Sequence, residues 1–210
     1  MGADERMVIF EAGDLHLEGL LSVGSSCGEA VVLCHPHPQY GGTMGNNVVT
    51  AMAAAFQDHG FSTLRFNFRG VGRSEGQFGD GIDERLDVEA AIAFLESDVK
   101  PGGVHVGGYS FGTYVGLHVA AVNERVRGFV GVAPPIALYD FHAVGDGAAK
   151  KFFVAGADDA FCPPGRLKTW FESLREPKTL TIIPRTDHFF WGREGALEEA
   201  LEPYFSGSAG

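Results

Sequence analysis

VHVGGYSFGTYVG, residues 104–116, joins a short apolar run to a stretch with helical periodicity through the five residues Gly-Tyr-Ser-Phe-Gly at 108–112. A G-x-S-x-G sequence between a strand and a helix is the pattern that holds a serine on a sharp turn with its hydroxyl exposed. Glycines on both sides let the two backbones pass closely without a Cβ clash. The pattern predicts Ser110 as a nucleophile at the start of a helix. The alternative is a serine that only caps that helix.

A serine hydroxyl needs a base, and the order expected in this context is Ser, then Asp or Glu, then His, each just after a later strand. The strand-like KFFVAG is followed by ADDAFCPP, and TLTIIP is followed by RTDHFFWG. Of eight histidines, only His188 lies just beyond the last predicted strand. We therefore predict that His188 takes the proton from Ser110.

The acidic partner is chosen by spacing. Asp159 lies three residues after Gly156 and four before Pro163, which favours it as the acid that holds the histidine tautomer. Asp158 and Asp187 remain alternatives for the acid, although either also fits the role of a solvated turn residue.

The stretch LCHPHPQYGGTMGNN, residues 33–47, follows the third predicted strand. An oxyanion hole takes one backbone N–H from the residue after the nucleophile, here Phe111, and one from this loop. We predict the N–H of His37 as the second donor, because each proline restricts the backbone of the histidine before it. Zinc is the rival interpretation of His35 and His37, but residues at i and i+2 of an extended chain point to opposite sides, and no nearby side chain completes a set.

The segment RGVGRSEG at 69–76 resembles a phosphate-binding loop. Its glycines follow the pattern G-x-G-x-x-x-G, however, which has one residue more than the dinucleotide fingerprint. We interpret it as a turn. The sequence thus predicts no cofactor and no metal.

Alternation of short apolar runs with helical patterns predicts βαβ units around a mostly parallel sheet with helices on both faces. The first two strands are separated only by EAGD, so they should pair antiparallel. Predicted strands are 7–10, 15–23, 30–34, 62–68, 104–107, 128–133, 151–155 and 179–183; predicted helices are 47–59, 83–96, 111–121 and 196–204. The absence of a linker-like stretch predicts one domain over residues 1–210.

The net charge of −11 argues against nucleic acid and anionic membrane surfaces as partners and favours a small molecule. The N-terminus carries no apolar leader pattern, and no apolar run is long enough to cross a bilayer. Three cysteines, at 27, 34 and 162, lack the spacing of a disulfide framework or zinc site. We expect a reducing cytoplasm, with the oligomeric state left open and a homodimer as one alternative.

Five motifs in order, CHPHPQYGGTMGNNVV, STLRFNFRGVGRSEG, GYSFG, GADDAFCPP and DHFFWG, resemble the small bacterial α/β-hydrolases labelled dienelactone-hydrolase-like. The resemblance covers about residues 30–192. It implies an eight-stranded α/β-hydrolase fold, a triad at Ser110, Asp159 and His188, and an oxyanion hole from His37 and Phe111. True dienelactone hydrolases have a cysteine nucleophile at the position of Ser110, so the resemblance does not extend to a lactone substrate.

These features predict a serine hydrolase acting on a small ester, with thioester or amide cleavage and a catalytically silent binding protein as alternatives. The connection at 136–150, which includes Gly145 and Gly147, is too short for a cap domain. We therefore expect an open site and short acyl chains. The predicted substrate contacts are aromatic: Tyr40, Tyr109, Phe161, Phe189 and Trp191.

Overall fold

The structure is a computed structural model that describes residues 5–24, 28–142, 147 and 149–206. Cys27 and Gly145 lie outside the described residues. The strands are β1 (Glu5–Ala12), β2 (Leu15–Ser22), β3 (Glu29–Cys34), β4 (Ser62–Phe66), β5 (Gly103–Tyr109), β6 (Val126–Val132), β7 (Lys150–Gly156) and β8 (Lys178–Ile183). The helices are α1 (Asn47–Asp58), α2 (Glu84–Asp98), α3 (Phe111–Val122), α4 (Pro164–Ser173) and α5 (Glu194–Ser206), with a 3₁₀ turn at Pro38–Tyr40.

In the described ranges, eight strands form one sheet in the order β1-β2-β4-β3-β5-β6-β7-β8. Strand β2 runs antiparallel to its neighbours β1 and β4, and the pairs from β4 to β8 are parallel. The predicted eight-stranded, mostly parallel sheet with an antiparallel second strand is confirmed.

The sheet is covered on both faces, as predicted. Alternate residues of β3 enter different cores: Val32 packs with α2, α3 and α4, whereas Val31 packs with α1 and α5. This alternation follows from the period of two along a strand. The carboxyl ends of the parallel strands share one edge of the sheet, so the loops after β3, β5, β7 and β8 meet there.

The bounds of the predicted elements differ by one or two residues from those observed, and two differences from the prediction have a visible structural cause. Helix α4 was not predicted, because only Leu167 and Trp170 of its ten residues are buried and the apolar period is too short to stand out. Strand β4 ends at Phe66 rather than at residue 68. The N–H of Asn67 still donates to the Glu18 carbonyl of β2, but that of Phe68 donates to the His35 ring, so the chain has left the sheet by Phe68.

The connection between β6 and β7, residues 133–149, contains no helix in its described residues. The described residues of this connection therefore form no cap domain over the carboxyl edge of the sheet. Across the described ranges, none of the helices has the length and apolar character required to cross a bilayer.

Candidate active site

Ser110 occupies a strained turn between β5 and α3, with φ 52° and ψ −117°. Few non-glycine residues adopt a positive φ, and such strain is characteristic of functional sites. A Cβ at Gly108 would overlap the Gly112 carbonyl, and one at Gly112 would overlap the carbonyl of Cys34. Both glycines are therefore required by the close approach of strand, helix and the β3 loop. The Ser110 side chain makes no capping hydrogen bond to α3, so the capping alternative is wrong.

The structure brings Ser110, His188 and Asp159 together in one line of hydrogen bonds. The Ser110 Oγ lies 2.9 Å from His188 Nε2, and His188 Nδ1 lies 2.8 Å from Asp159 Oδ2. His188 and Asp159 are buried. Because a carboxylate only accepts, Nδ1 carries the proton and Nε2 of the neutral imidazole accepts from the serine hydroxyl.

Asp159, and not its neighbour, faces the imidazole. Its second oxygen accepts the N–H groups of Phe161 and Cys162, both at 2.8 Å, which fixes the carboxylate and satisfies it as an anion. Asp158 is exposed. Asp187 is also exposed and accepts the N–H of Phe189 two residues ahead, the hydrogen bond of an Asx turn.

Tyr109 supports the backbone of the loop after β8 that carries His188, called the histidine loop. Its side chain is only 3% exposed, and its hydroxyl donates to the His188 carbonyl at 2.8 Å. Burial, with added repulsion from Asp159 and Asp187, raises the pKa of Tyr109, so the hydroxyl keeps its proton. The expectation that Tyr109 contacts substrate disagrees with this buried position. Nothing in the sequence distinguishes a tyrosine whose side chain is buried under the histidine loop from one whose side chain lines the opening of the site.

The loop after β3 lies against the start of α3. The His37 ring is 5.0 Å from the Phe111 ring, and the His37 backbone has φ −53° and ψ 122°, as expected before a proline. The N–H of Phe111 has no acceptor within its helix because it is the first helical residue. Among the described residues, neither this N–H nor that of His37 donates a hydrogen bond. Both amides are free for a ligand oxygen.

The two histidines of this loop have different surroundings. His35 is fully buried; its Nδ1 lies 2.6 Å from the Pro36 carbonyl, and its Nε2 accepts the N–H of Phe68 at 3.0 Å. Its burial lowers its pKa to about 4, so the ring is neutral. His37 is half-buried and accepts the N–H of Gln39 on Nδ1. Sequence reasoning found the loop but missed that the His35 ring ties it to the end of β4.

Metal and phosphate sites receive no support from the side chains around this loop. In the part of the chain that the structure describes, no three His, Cys, Asp or Glu residues are grouped as metal ligands. In the 69–76 segment, Arg69 is paired with the buried carboxylate of Asp87 at 2.7 Å, and the N–H of Arg73 donates to Glu18. Acidic side chains thus occupy the donors that a phosphate would need, and the segment is a set of turns.

The other four aromatic residues predicted to contact substrate differ in their exposure and in their distance from His188. The rings of Phe161 and Phe189 lie 4.9 and 5.7 Å from the His188 ring and are partly exposed. Tyr40 is 87% exposed on the other side, 4.7 Å from the His37 ring. Trp191 is exposed at the outer end of the histidine loop. Four of the five predicted contacts are therefore accessible to a ligand.

A sequence profile described as the alpha/beta hydrolase fold matches residues 29–159, which is more than half of the chain and includes Ser110 and Asp159. The chain belongs to the α/β-hydrolase fold family. His188 lies beyond the matched residues of this α/β-hydrolase.

Solved structures agree along nearly the whole chain. An α-β serine hydrolase homologue from Coxiella burnetii is 31% identical with a TM-score of 0.87, over 97% of this chain and 98% of that one. A protein of Xanthomonas campestris, described as an a/b serine hydrolase without lid, is 29% identical with a TM-score of 0.84, over 97% and 96% of the two chains. This α/β-hydrolase is thus similar to serine hydrolases, one of them lidless.

A curated relative has a named activity. A thiohydrolase of Arthrinium phaeospermum is 30% identical over 155 residues, which are 69% of this chain and 48% of the relative. This α/β-hydrolase spans about half the length of that relative.

Proposed function

We propose that this α/β-hydrolase is a carboxylesterase that cleaves small esters of short acyl chains through an acyl-enzyme on Ser110. The observation that carries the proposal is the line of hydrogen bonds from Ser110 through His188 to Asp159, with distances of 2.9 and 2.8 Å. It starts at a strained turn, and the N–H groups of Phe111 and His37 donate to no other group among the described residues. That combination is what acyl transfer by a serine requires.

In acylation, the Ser110 Oγ attacks the acyl carbon while its proton passes to His188 Nε2. The carbonyl oxygen becomes an oxyanion, which the N–H groups of His37 and Phe111 stabilise. Asp159 stabilises the imidazolium that forms. Collapse of the tetrahedral intermediate breaks the bond to the leaving alcohol, which takes the proton from His188 and departs.

In deacylation, His188 Nε2 takes a proton from water, and the resulting hydroxide attacks the acyl carbon attached to Ser110. Collapse of the second tetrahedral intermediate breaks the bond between the acyl carbon and the Ser110 oxygen, which takes the proton from His188, and the carboxylic acid is released. The same base therefore serves both half-reactions, and no cofactor or metal is needed.

Thioester hydrolysis is the second candidate, favoured by the similarity to the thiohydrolase. The same groups attack any activated acyl carbon, and a thiolate leaves more readily than an alkoxide. Amide cleavage uses the same steps with a poorer leaving group. A silent binding protein remains the alternative from another class, but it has no need of a base that is within hydrogen-bond distance of a strained serine.

The proposal includes a cellular compartment and a class of partner. The thiols of Cys34 and Cys162 are free and buried, which suits a reducing compartment, and we place the protein in the cytoplasm. With its acidic net charge, its partner is a small-molecule ester rather than nucleic acid or a membrane.

Labelling with a fluorophosphonate probe, followed by panels of p-nitrophenyl esters and thioesters, tests the function. We expect stoichiometric labelling of Ser110 and turnover of short acyl esters. Ser110→Ala should remain folded, lose the label and lose about three orders of magnitude or more in kcat. Turnover near that of the wild type in this variant would refute the assignment, and a folded wild type without label or turnover would favour the silent binding protein.

A further inference from the structure

A cleft of about 560 Å³ lies beside the candidate active site, between the 136–142 segment and the first turns of α4. Leu138 and Tyr139 line one side, and Trp170 lines the other. Volumes of about 300–1,000 Å³ are typical of small-molecule sites. Ser110, Asp159 and His188 are not among the lining residues, so the cleft would hold a part of a ligand away from the reacting atoms.

The inner end of the cleft borders the catalytic loops. The N–H of Ala137 donates to the Phe161 carbonyl at 3.1 Å, and the Phe161 ring packs on the His188 ring. On the other side, the Tyr139 ring is 6.0 Å from the ring of Phe111. Residues that line the cleft therefore contact the loops that carry Ser110 and Asp159.

The cleft and the histidine loop belong to opposite faces of the sheet. Tyr139 and Trp170 pack in the core formed with α2, α3 and α4. Phe190, two residues after His188, packs in the core with α1 and α5, and Asn47 of α1 donates to the Phe189 carbonyl at 3.1 Å. His188 thus reaches Ser110 from the α1–α5 face.

The leaving oxygen must lie within reach of His188 Nε2, because that atom protonates it. The leaving group then extends on the α1–α5 face, and the acyl chain extends on the other. We propose that the cleft is the acyl-chain subsite, with Leu138 and Tyr139 as specificity-determining residues. This inference rests on the proposed esterase function and adds the location and size of the acyl group.

The residues that line the cleft explain why short acyl chains are expected as substrates. The apolar surface that a ligand can reach is mostly that of Leu138 and Tyr139, because Trp170 is almost fully buried, and the charged lining residues Asp140 and Arg166 are exposed. Each methylene buried on this surface raises kcat/KM by up to about fourfold, equivalent to about 0.8 kcal/mol. Methylenes that pass the charged residues remain in water and contribute nothing. Activity should therefore rise from acetyl to about butanoyl or hexanoyl esters and then stop rising.

Gly165 offers a direct test because it lines the cleft and a Cβ there meets nothing within 4 Å. Gly165→Trp should fill the cleft without displacing the backbone, and Gly165→Ala should fill it only slightly. Gly195 is the matched control: it is also the second residue of a helix, α5, and its Cβ position is also open. The panel varies the acyl chain with p-nitrophenol constant, and then the alcohol with acetyl constant.

For the wild type and for Gly195→Trp, we expect kcat/KM on the hexanoyl ester to exceed that on the acetyl ester by about tenfold or more. Gly165→Trp should reduce the ratio of hexanoyl to acetyl kcat/KM to less than about threefold. An unchanged preference in a folded Gly165→Trp, or a loss that follows the alcohol rather than the acyl chain, would overturn the inference. Those outcomes leave esterase activity intact, whereas failure of the proposed function removes activity on every ester of the panel.

Discussion

The Tyr109 hydroxyl donates a 2.8 Å hydrogen bond to the His188 carbonyl oxygen, so the residue before the proposed nucleophile holds the backbone of the proposed base. The two residues lie 79 positions apart in the chain. Through this bond, β5 positions both Ser110 and the loop after β8. An enzyme in which serine and histidine must stay within hydrogen-bond distance depends on such a connection.

Tyr109→Phe removes this hydrogen bond and leaves a buried carbonyl without its donor. We expect the free energy of unfolding to fall by about 1–3 kcal/mol in urea titrations. Looser placement of His188 should lower kcat by about three- to tenfold with little change in KM. Tyr114→Phe, whose ring packs against His118 away from the histidine loop, is the control and should change neither value. A Tyr109→Phe enzyme with unchanged kcat would show that the bond supports stability alone.

Asp159→Asn should lower kcat by about three to four orders of magnitude, because an amide no longer holds the imidazole tautomer that accepts from Ser110. Asp158→Asn, one residue earlier and exposed, is the matched control and should lie within about twofold of the wild type. Steady-state kinetics on one short acyl ester compare the two. The ranking is the prediction, and equal losses would contradict the assigned acid.

Stability should fall with acidification because of His35. Its burial lowers its pKa to about 4, whereas an exposed histidine in the unfolded chain takes up a proton near pH 6.5. Between these values the unfolded state binds a proton that the folded state excludes. The His35 contribution is therefore complete above pH 6.5 and is lost as the pH falls towards 4, by about 3 kcal/mol at most.

Urea unfolding at pH 7 and pH 5 measures this contribution. His35→Gln should be less stable than the wild type at pH 7, because the Phe68 N–H loses its acceptor, but should lose less stability between the two pH values. His142→Gln, at an exposed position, should follow the wild type. A His35→Gln variant with the full acid sensitivity of the wild type would assign that sensitivity to other groups.

Activity should survive exhaustive chelation, because the proposed chemistry uses only side chains and backbone amides. The His35 nitrogens are both engaged with the protein, at Pro36 and Phe68. Dialysis against a chelator, with metal analysis and an ester assay before and after, checks this. A stoichiometric metal whose removal abolishes turnover would restore the zinc interpretation of the two histidines.

Much of the fold was readable from periodicity. Strands such as β3 and β7 are nearly continuous apolar runs, and α1 and α3 have long apolar stripes, so their types were predicted with ends within a few residues. Helix α4 was missed because a helix that buries only Leu167 and Trp170 leaves a weak period. The end of β4 was missed because a distant ring, that of His35, takes the N–H of Phe68.

The sequence by itself determined the alternation of strands and helices, the turn at Ser110 and the chain order of serine, acid and histidine. These are local properties, set by periodicity and by glycines that the backbone requires. Only the tertiary structure decided that Asp159 rather than Asp158 faces His188, that Tyr109 points down to the His188 carbonyl, and that a cleft borders α4. Each of these depends on which side chains from distant segments meet. Adjacent residues in a loop differ by a rotation of the backbone, and packing against the rest of the chain sets that rotation.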